Sequence, residues 1–284
     1  MQRVLSTYRY VKHPLNATIL GEIAHAGISE IEIFCALPHF AYTSAQAIRE
    51  LSDALNEYRL TLHSLHAPTQ RDLAPGRESG FPISISDPER IRRVDAVDEV
   101  KRAIEVAERV PFRYLIQHIG HSRQPADGRT FDAAFNSLEH LAVFAKHRGV
   151  TIALENTPGE LGAPASLHQF VQETHLHDLR FCFDSGHAHM EPGIPAALEA
   201  MQGRIISTHL HDNHGEKDEH LLPGEGTIDW EVLLETLRKT SSPVPLVLEL
   251  KEKSAGSPSL TEVQDAFDRL EKTLNAPESS AEQS

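Results

Sequence analysis

Short runs of β-branched and apolar residues alternate along this chain with longer segments of helical periodicity. The runs Val4–Thr7, Glu30–Phe34, Thr61–Leu65, Tyr114–His118, Val150–Glu155, Leu179–Phe183, Ile205–Leu210 and Leu246–Leu250 predict eight strands. Between them apolar residues recur at i, i+3, i+4 and i+7, as in Ala45-Ile48-Leu51-Leu55, Val94-Val97-Val100-Ile104 and Phe131-Phe135-Leu138-Leu141. Further helices are predicted from Pro14 to Ala26, Ser166 to His175, Ile194 to Met201, Trp230 to Lys239 and Leu260 to Leu274. Ser44, Asp87, Thr130, Ser166 and Asp229 are the expected caps. Strict alternation means parallel strands joined by right-handed crossovers. Eight such units predict an α/β fold, a (β/α)8 TIM barrel, as one domain over residues 1–274. An open doubly wound sheet is the rival, but no Gly-rich dinucleotide turn follows any of these runs.

Two stretches break the pattern. Gln70 to Asp87, rich in Pro, Gly, Ser and Arg, follows the third strand and is expected to form a lid over the barrel mouth. Residues 275–284 are polar and aperiodic and are expected to be disordered.

Composition narrows the class. The 284 residues suit a barrel that typically needs ~250, and 40% hydrophobic with 24% charged residues is ordinary for a globular protein. No stretch approaches the ~18 consecutive apolar residues of a membrane span. The start, Met1 to Thr7, has no signal-like apolar run, so the cytoplasm is the expected location. Cys35 and Cys182 lie in apolar surroundings and read as buried reduced thiols. A net charge of −14 disfavours an electrostatic grip on nucleic acid, although bound cations would change the local field and leave a phosphate-bearing substrate open. The 18 histidines, half of them between His168 and His220, point to metal.

The polar residues sharpen that hint. The third strand ends at His66, the fourth in Gln117-His118, the fifth in Glu155-Asn156 and the sixth in Asp184-Ser185-Gly186-His187. The seventh runs into His209-Leu210-His211-Asp212-Asn213, and the eighth carries Glu249. Six apolar strands ending in carboxylate or imidazole are hard to explain by packing, because a buried carboxylate must be paired or metal-bound. In a barrel these ends meet at one mouth. Imidazole with carboxylate suits Zn²⁺ or Mn²⁺ better than Ca²⁺ or Mg²⁺, and more candidates are present than a single ion uses.

These motifs resemble the xylose isomerase-like TIM-barrel superfamily, which joins sugar and sugar-phosphate isomerases and epimerases to the endonuclease IV type of abasic-site nuclease (AP endonuclease family 2). The resemblance covers nearly the whole chain and is carried by His209-Leu210-His211-Asp212-Asn213, by Asp218-Glu219-His220-Leu221-Leu222-Pro223-Gly224-Glu225-Gly226, by Leu154-Glu155-Asn156-Thr157 and by Asp184-Ser185-Gly186-His187. The nuclease branch implies nine ligands for three ions: His66, His118, Glu155, Asp184, His187, His209, Asp218, His220 and Glu249. The epimerase branch implies one ion on Glu155, Asp184, His209 and Glu249, with Glu155 and Glu249 as acid and base and His187 holding the sugar. This chain departs from both. Only Lys217 stands near the position of an arginine that epimerases carry, and the loops Ala36–Phe40 and Ala67–Arg71 do not resemble the DNA-reading loops of the nucleases.

The expected function is a divalent-metal-dependent sugar or sugar-phosphate isomerase or epimerase holding one to three ions. The alternative is an endonuclease IV-like trinuclear zinc phosphodiesterase; a barrel that binds metal without catalysis is the third reading. The expected partner is a small carbohydrate or phosphate ester, and the chain is open to homo-oligomer formation. His121, Arg123 and Lys217 are candidate phosphate contacts, Glu32 a candidate substrate contact, and His39 and Phe40 candidates for the mouth. His211 is expected behind the ligands in a supporting role, unless the strand end kinks and brings it in. Trp230 is expected as a core anchor, and His168, His175 and His177 on the surface.

Overall fold

The computed structural model describes residues 2–73, 81–240, 243–252 and 258–275. All eight expected strands form: β1 (Arg3–Ser6), β2 (Glu30–Phe34), β3 (Thr61–His66), β4 (Tyr114–Gln117), β5 (Thr151–Glu155), β6 (Arg180–Asp184), β7 (Ile205–His209) and β8 (Leu246–Leu248). They pair in parallel in the order β7-β6-β5-β4-β3-β2-β1-β8. The ring closes through a parallel bridge between Leu210 and Leu248, just beyond the end of β7. Leu210 N donates to the Val247 carbonyl at 2.8 Å, and the Thr208 hydroxyl donates to the Pro245 carbonyl at 2.8 Å.

The helices are α1 (Ala17–His25), α2 (Ala45–Tyr58), α3 (Arg90–Glu105), α4 (Gly128–Lys146), α5 (Pro164–Thr174), α6 (Ser185–Met190), α7 (Ile194–Met201), α8 (Trp230–Thr240) and α9 (Leu260–Leu274). Short α6 and a 3₁₀ turn at Thr7–Tyr10 carry no apolar periodicity and were not legible in the pattern. Three expected caps move. Glu89 rather than Asp87 caps α3, Asp127 caps α4 in a capping box that uses Thr130, and α5 starts at Pro164 without a side-chain cap.

Strand periodicity separates two interiors. On β5 and β6, Ile152, Leu154, Phe181 and Phe183 face outward into the helix-covered core, while Ala153, Cys182 and Ile116 form a small apolar layer inside the barrel. Deleting a fully buried ring such as Phe183 would cost about 3–5 kcal/mol. Above the inner layer the same alternation puts Glu155 and Asp184 in the mouth. Cys35 and Cys182 are both buried and unpaired. Trp230 packs partly buried against the core.

Only the ends of the expected lid are described, tied down by Leu73 N to the Leu37 carbonyl at 2.6 Å and Ile83 N to the Thr69 carbonyl at 2.9 Å. Residues 74–80, and the tail 276–284, lie outside the described residues. No described helix is long and apolar enough to cross a membrane.

Candidate metal centre

His209, the last residue of β7, is fully buried, and both of its ring nitrogens face carboxylates. Nε2 lies 3.0 Å from Glu32 Oε1, whose other oxygen accepts from the Ser64 hydroxyl at 2.7 Å. Nδ1 has no hydrogen-bond partner among the described residues. Around it stand Glu155 Oε2 at 3.2 Å, Glu249 Oε2 at 3.7 Å and Asp184 Oδ2 at 3.9 Å. A buried nitrogen with three carboxylate oxygens near but not aligned for hydrogen bonding is the arrangement a cation would complete.

Glu155, at the end of β5, gathers the neighbouring imidazoles. His66 Nε2 and His118 Nε2 each lie 3.2 Å from its Oε2, and His187 Nδ1 lies 3.4 Å from its Oε1. Backbone contacts fix these rings. His66 Nδ1 donates to the Ala67 carbonyl at 2.8 Å and His187 Nδ1 to the Asn156 carbonyl at 2.9 Å. In a neutral ring each bond assigns the tautomer and leaves Nε2 as the free donor atom.

Asp184 ends β6 and also caps α6, accepting from His187 N at 2.7 Å. Asn156, just past the end of β5, clamps it, accepting from Asp184 N at 2.7 Å and donating to its carbonyl at 3.0 Å. The remaining oxygen, Oδ2, meets His211 Nε2 at 3.1 Å. His211 therefore lies in the site and not behind it: it is two positions after His209, and residues two apart in an extended segment share a face. Its ring lies against the Gly186 backbone, where an added Cβ would fall 2.0 Å from His211 Cε1.

The segment after β7 returns through an antiparallel bridge between Asp212 and Leu221. His220 sits there at φ 50°, a left-handed conformation that His tolerates better than most residues. Its Nε2 contacts Asp218 Oδ2 at 2.9 Å, its Nδ1 donates to the Glu249 carbonyl at 3.1 Å, and its ring stacks on His211 at 4.0 Å. His187 Nε2 reaches Asp218 Oδ2 at 3.6 Å. Buried Asp212 holds this loop, accepting from Asn213 N, Gly224 N, Ile228 N and Trp230 Nε1 at 2.8–3.1 Å. Gly226 passes so close that a Cβ would meet Asp212 Oδ1 at 2.3 Å.

Charge balances within the cluster. Burial pushes Glu155 up, but His209 and His118 outweigh it and hold its carboxyl well below the usual range. Burial opposes ionisation of Asp184 and Glu32 too, and His187 and His211 for Asp184, His209 for Glu32, overcome it. Asp218 is lowered against burial by hydrogen bonds from His187 and His220. Conversely, burial pulls His66, His187, His209 and His220 down while their partners raise them, Cys182 ahead of the carboxylates for His209 and carboxylates for the others, His187 and His209 well above the usual imidazole value. Without metal, protons supply the positive charge that these carboxylates require.

Donor atoms within 4.8 Å of one another form several overlapping sets: His66–Glu155–His209, Glu155–Asp184–His187, Asp184–His211–Glu249, Glu32–His209–Glu249 and His211–Asp218–His220. Eight of the nine ligand candidates from the sequence fall in these sets, together with His211 and Glu32, and the ninth, His118, adjoins them through its 3.2 Å contact with Glu155. Glu32 lies behind His209, fully buried. His121, Arg123 and Lys217 are exposed and touch none of the cluster among the described residues. His39 and Phe40, expected at the mouth, are buried in the fold, His39 between the His13 carbonyl and the Thr7 hydroxyl, both at 2.8 Å. Tyr8, in the turn after β1, packs its ring 5.0 Å from that of His220 at a tilt of 43° and gave no sequence signal.

A family model described as "Xylose isomerase-like TIM barrel" matches residues 20–273. An uncharacterised protein of Methanocaldococcus jannaschii is 31% identical over 230 residues, 78% of this chain and 74% of that protein. A "Probable endonuclease 4" of Haloarcula marismortui is 26% identical over 200 residues, 63% of this chain and 71% of that protein. Among solved structures, a "D-tagatose 3-epimerase-like protein" superposes with a TM-score of 0.79 at 25% identity, covering 97% of this chain and 98% of that one.

Proposed function

The chain belongs to the xylose isomerase-like TIM-barrel family, and from that premise we propose that it is a metal-dependent isomerase or epimerase of a small sugar, with Glu155 and Glu249 as acid and base. The supporting observation is the unpartnered His209 Nδ1, with Glu155, Asp184 and Glu249 oxygens 3.2–3.9 Å away. These four side chains would hold a divalent transition ion, which polarises a bound carbonyl and acidifies the neighbouring C–H. One of Glu155 and Glu249 takes the carbon-bound proton onto a carboxylate oxygen, and the other returns a proton to the same or the adjacent carbon. General acid–base chemistry of this kind contributes ~10²–10⁴-fold. Both carboxylates are nearly fully buried, and in that low-dielectric setting their charges act on the reacting carbon more strongly than they would in water. His187, oriented by the Asn156 carbonyl, offers Nε2 to a sugar hydroxyl. Tyr8 walls the mouth. Glu32 fixes the His209 ring rather than touching substrate. The likeness to a D-tagatose 3-epimerase-like protein supports a carbohydrate substrate.

A second reading has its own observation. Glu155 is approached by His66, His118, His187 and His209, more nitrogens than a single ion with its other ligands can use. That crowding, with the Asp218–His220 pair and the likeness to a probable endonuclease 4, favours a trinuclear phosphoesterase. Elemental analysis coupled to solvent-deuterium exchange separates the two. One ion per chain with deuterium entering a ketose is the expected result. Three zinc ions with phosphodiester hydrolysis and no exchange would overturn it.

A further inference from the structure

Beside the four side chains around His209 Nδ1, a second set of donors gathers on the segment after β7. Donor atoms of His211, Asp218 and His220 lie within 4.8 Å of one another. Asp218 Oδ2 meets His220 Nε2 at 2.9 Å. Its other oxygen, Oδ1, is buried with no hydrogen-bond partner among the described residues and faces His211 Nε2 at 3.8 Å. That gap is too long for a hydrogen bond. It is close to the about 3.4 Å that separates two donors on one tetrahedral ion with bonds of ~2.0–2.1 Å. The two rings stack with centroids 4.0 Å apart and planes 20° from parallel, and the Glu249 carbonyl holds His220 Nδ1 at 3.1 Å, which turns Nε2 toward Asp218. Asp184 Oδ2 lies between the two sets, 3.9 Å from His209 Nδ1 and 3.1 Å from His211 Nε2.

A buried carboxylate oxygen without a partner, aimed at one imidazole nitrogen with a second beside it, is satisfied by a cation that all three share. We propose that His211, Asp218 and His220 form a second, weaker site for a divalent transition ion, with Asp184 shared between it and the first. This rests on the metal centre above and not on which reaction that centre serves. His211 stands outside the nine ligands that the nuclease resemblance implies, yet it, and not His187, completes the set that holds Asp218 and His220. His187 stays free to face a sugar hydroxyl. Two imidazoles with a carboxylate suit Zn²⁺ or Mn²⁺ and leave a coordination position open. The first site gathers three carboxylates. The second has one of its own, on a side chain 36% exposed, and a share of Asp184. Affinity follows donor charge and rigidity, so the second ion enters only on titration, after the one that the purified protein retains. Once bound, it fastens the loop carrying Asp218 and His220 to the end of β6.

The test titrates Zn²⁺ by calorimetry into the full-length protein carrying its retained ion, as wild type, H211Q, D218N, H220Q and H187Q, with elemental analysis of each beforehand. The wild type is expected to take up one further ion. H211Q, D218N and H220Q should bind it about tenfold more weakly or not at all while keeping the first ion, and H187Q should bind it as the wild type does. Should H211Q not fold, anomalous scattering at the zinc edge from wild-type crystals carries the same expectation: a second peak bonded to His211 Nε2, Asp218 and His220. No further uptake by a wild type that holds its first ion and exchanges deuterium into a ketose would remove the second site and leave the isomerase reading standing. Uptake unchanged in D218N and H220Q would place the ion elsewhere and overturn the proposal. Uptake lost in H187Q but kept in H211Q, or a second peak on His187, would overturn the role of His211. A wild type that retains no ion and takes up none would remove both the second site and the metal centre it rests on.

Discussion

Replacing Glu32 tests whether His209 is held for metal from behind. Glu32 is fully buried and accepts two bonds, from Ser64 Oγ at 2.7 Å and from the His209 Nε2 side at 3.0 Å. The second bond keeps the ring proton on Nε2 and Nδ1 open toward Glu155, Asp184 and Glu249. Losing an outer-shell partner of this kind typically lowers metal affinity ~10- to 100-fold, or about 1.4–2.7 kcal/mol. Glu32→Gln keeps the shape and one acceptor oxygen, so its loss should sit near the lower bound. Glu32→Ala strips both His209 and Ser64 of their partner, which costs about 1–3 kcal/mol per buried group, and should reach the upper bound. Chelator competition with Zn²⁺ or Co²⁺ measures this without any activity assay. Wild-type affinity in both variants would refute the reasoning, and a raised KM at unchanged affinity would return Glu32 to the role of a substrate contact.

Gly186→Ala places a methyl 2.0 Å from the His211 ring; the expected cost is about 1–3 kcal/mol with displacement of His211, read as a lower Tm and a changed metal count. Asp212→Asn weakens a carboxylate bonded to three amides, those of Asn213, Gly224 and Ile228, and to the Trp230 indole; the loop carrying Asp218 and His220 should loosen, which Trp230 fluorescence and metal stoichiometry will report. The metal-free protein should be most stable between about pH 4.5 and 6.5. The raised imidazoles His66, His187, His209 and His220 stabilise fully below their unfolded value of 6.5 and lose that contribution as pH rises through their folded values. The lowered carboxylates, with ordinary values of 3.8 and 4.5, stabilise above those values and lose it as pH falls. Metal replaces the protons, so loading should release them and flatten the alkaline decline; Tm against pH with and without chelator checks both limbs, and identical profiles would contradict the charge balance.

The eight strands were legible because each is a short apolar or β-branched run, and the ligand candidates because six of those runs turn to carboxylate or imidazole at their mouth ends. What escaped the pattern depends on geometry beyond regular elements. His211 is the exception: it lies two positions after His209 and shares its face, as period two requires, so its place beside Asp184 was legible and the expectation that set it behind the ligands was wrong. Tyr8 lies in a 3₁₀ turn without periodicity. Glu32 and His209 are 177 positions apart, and only barrel closure makes them neighbours. Lys217 and His121 carry suitable charge, yet their loops aim them at solvent, a direction composition does not encode.

The join between β7 and β8 relies on one bridge at Leu210–Leu248 and on the Thr208 hydroxyl reaching across to Pro245. His209 and Glu249 flank that join from its two sides. Until it zips, the sheet is an arc whose two ends each carry part of the donor set, so competence to bind a cation arrives with the final act of folding. A cation bound by both residues becomes a clasp on the ring's thinnest link, and stripping it should let hydrogen exchange report fraying there before anywhere else in the sheet.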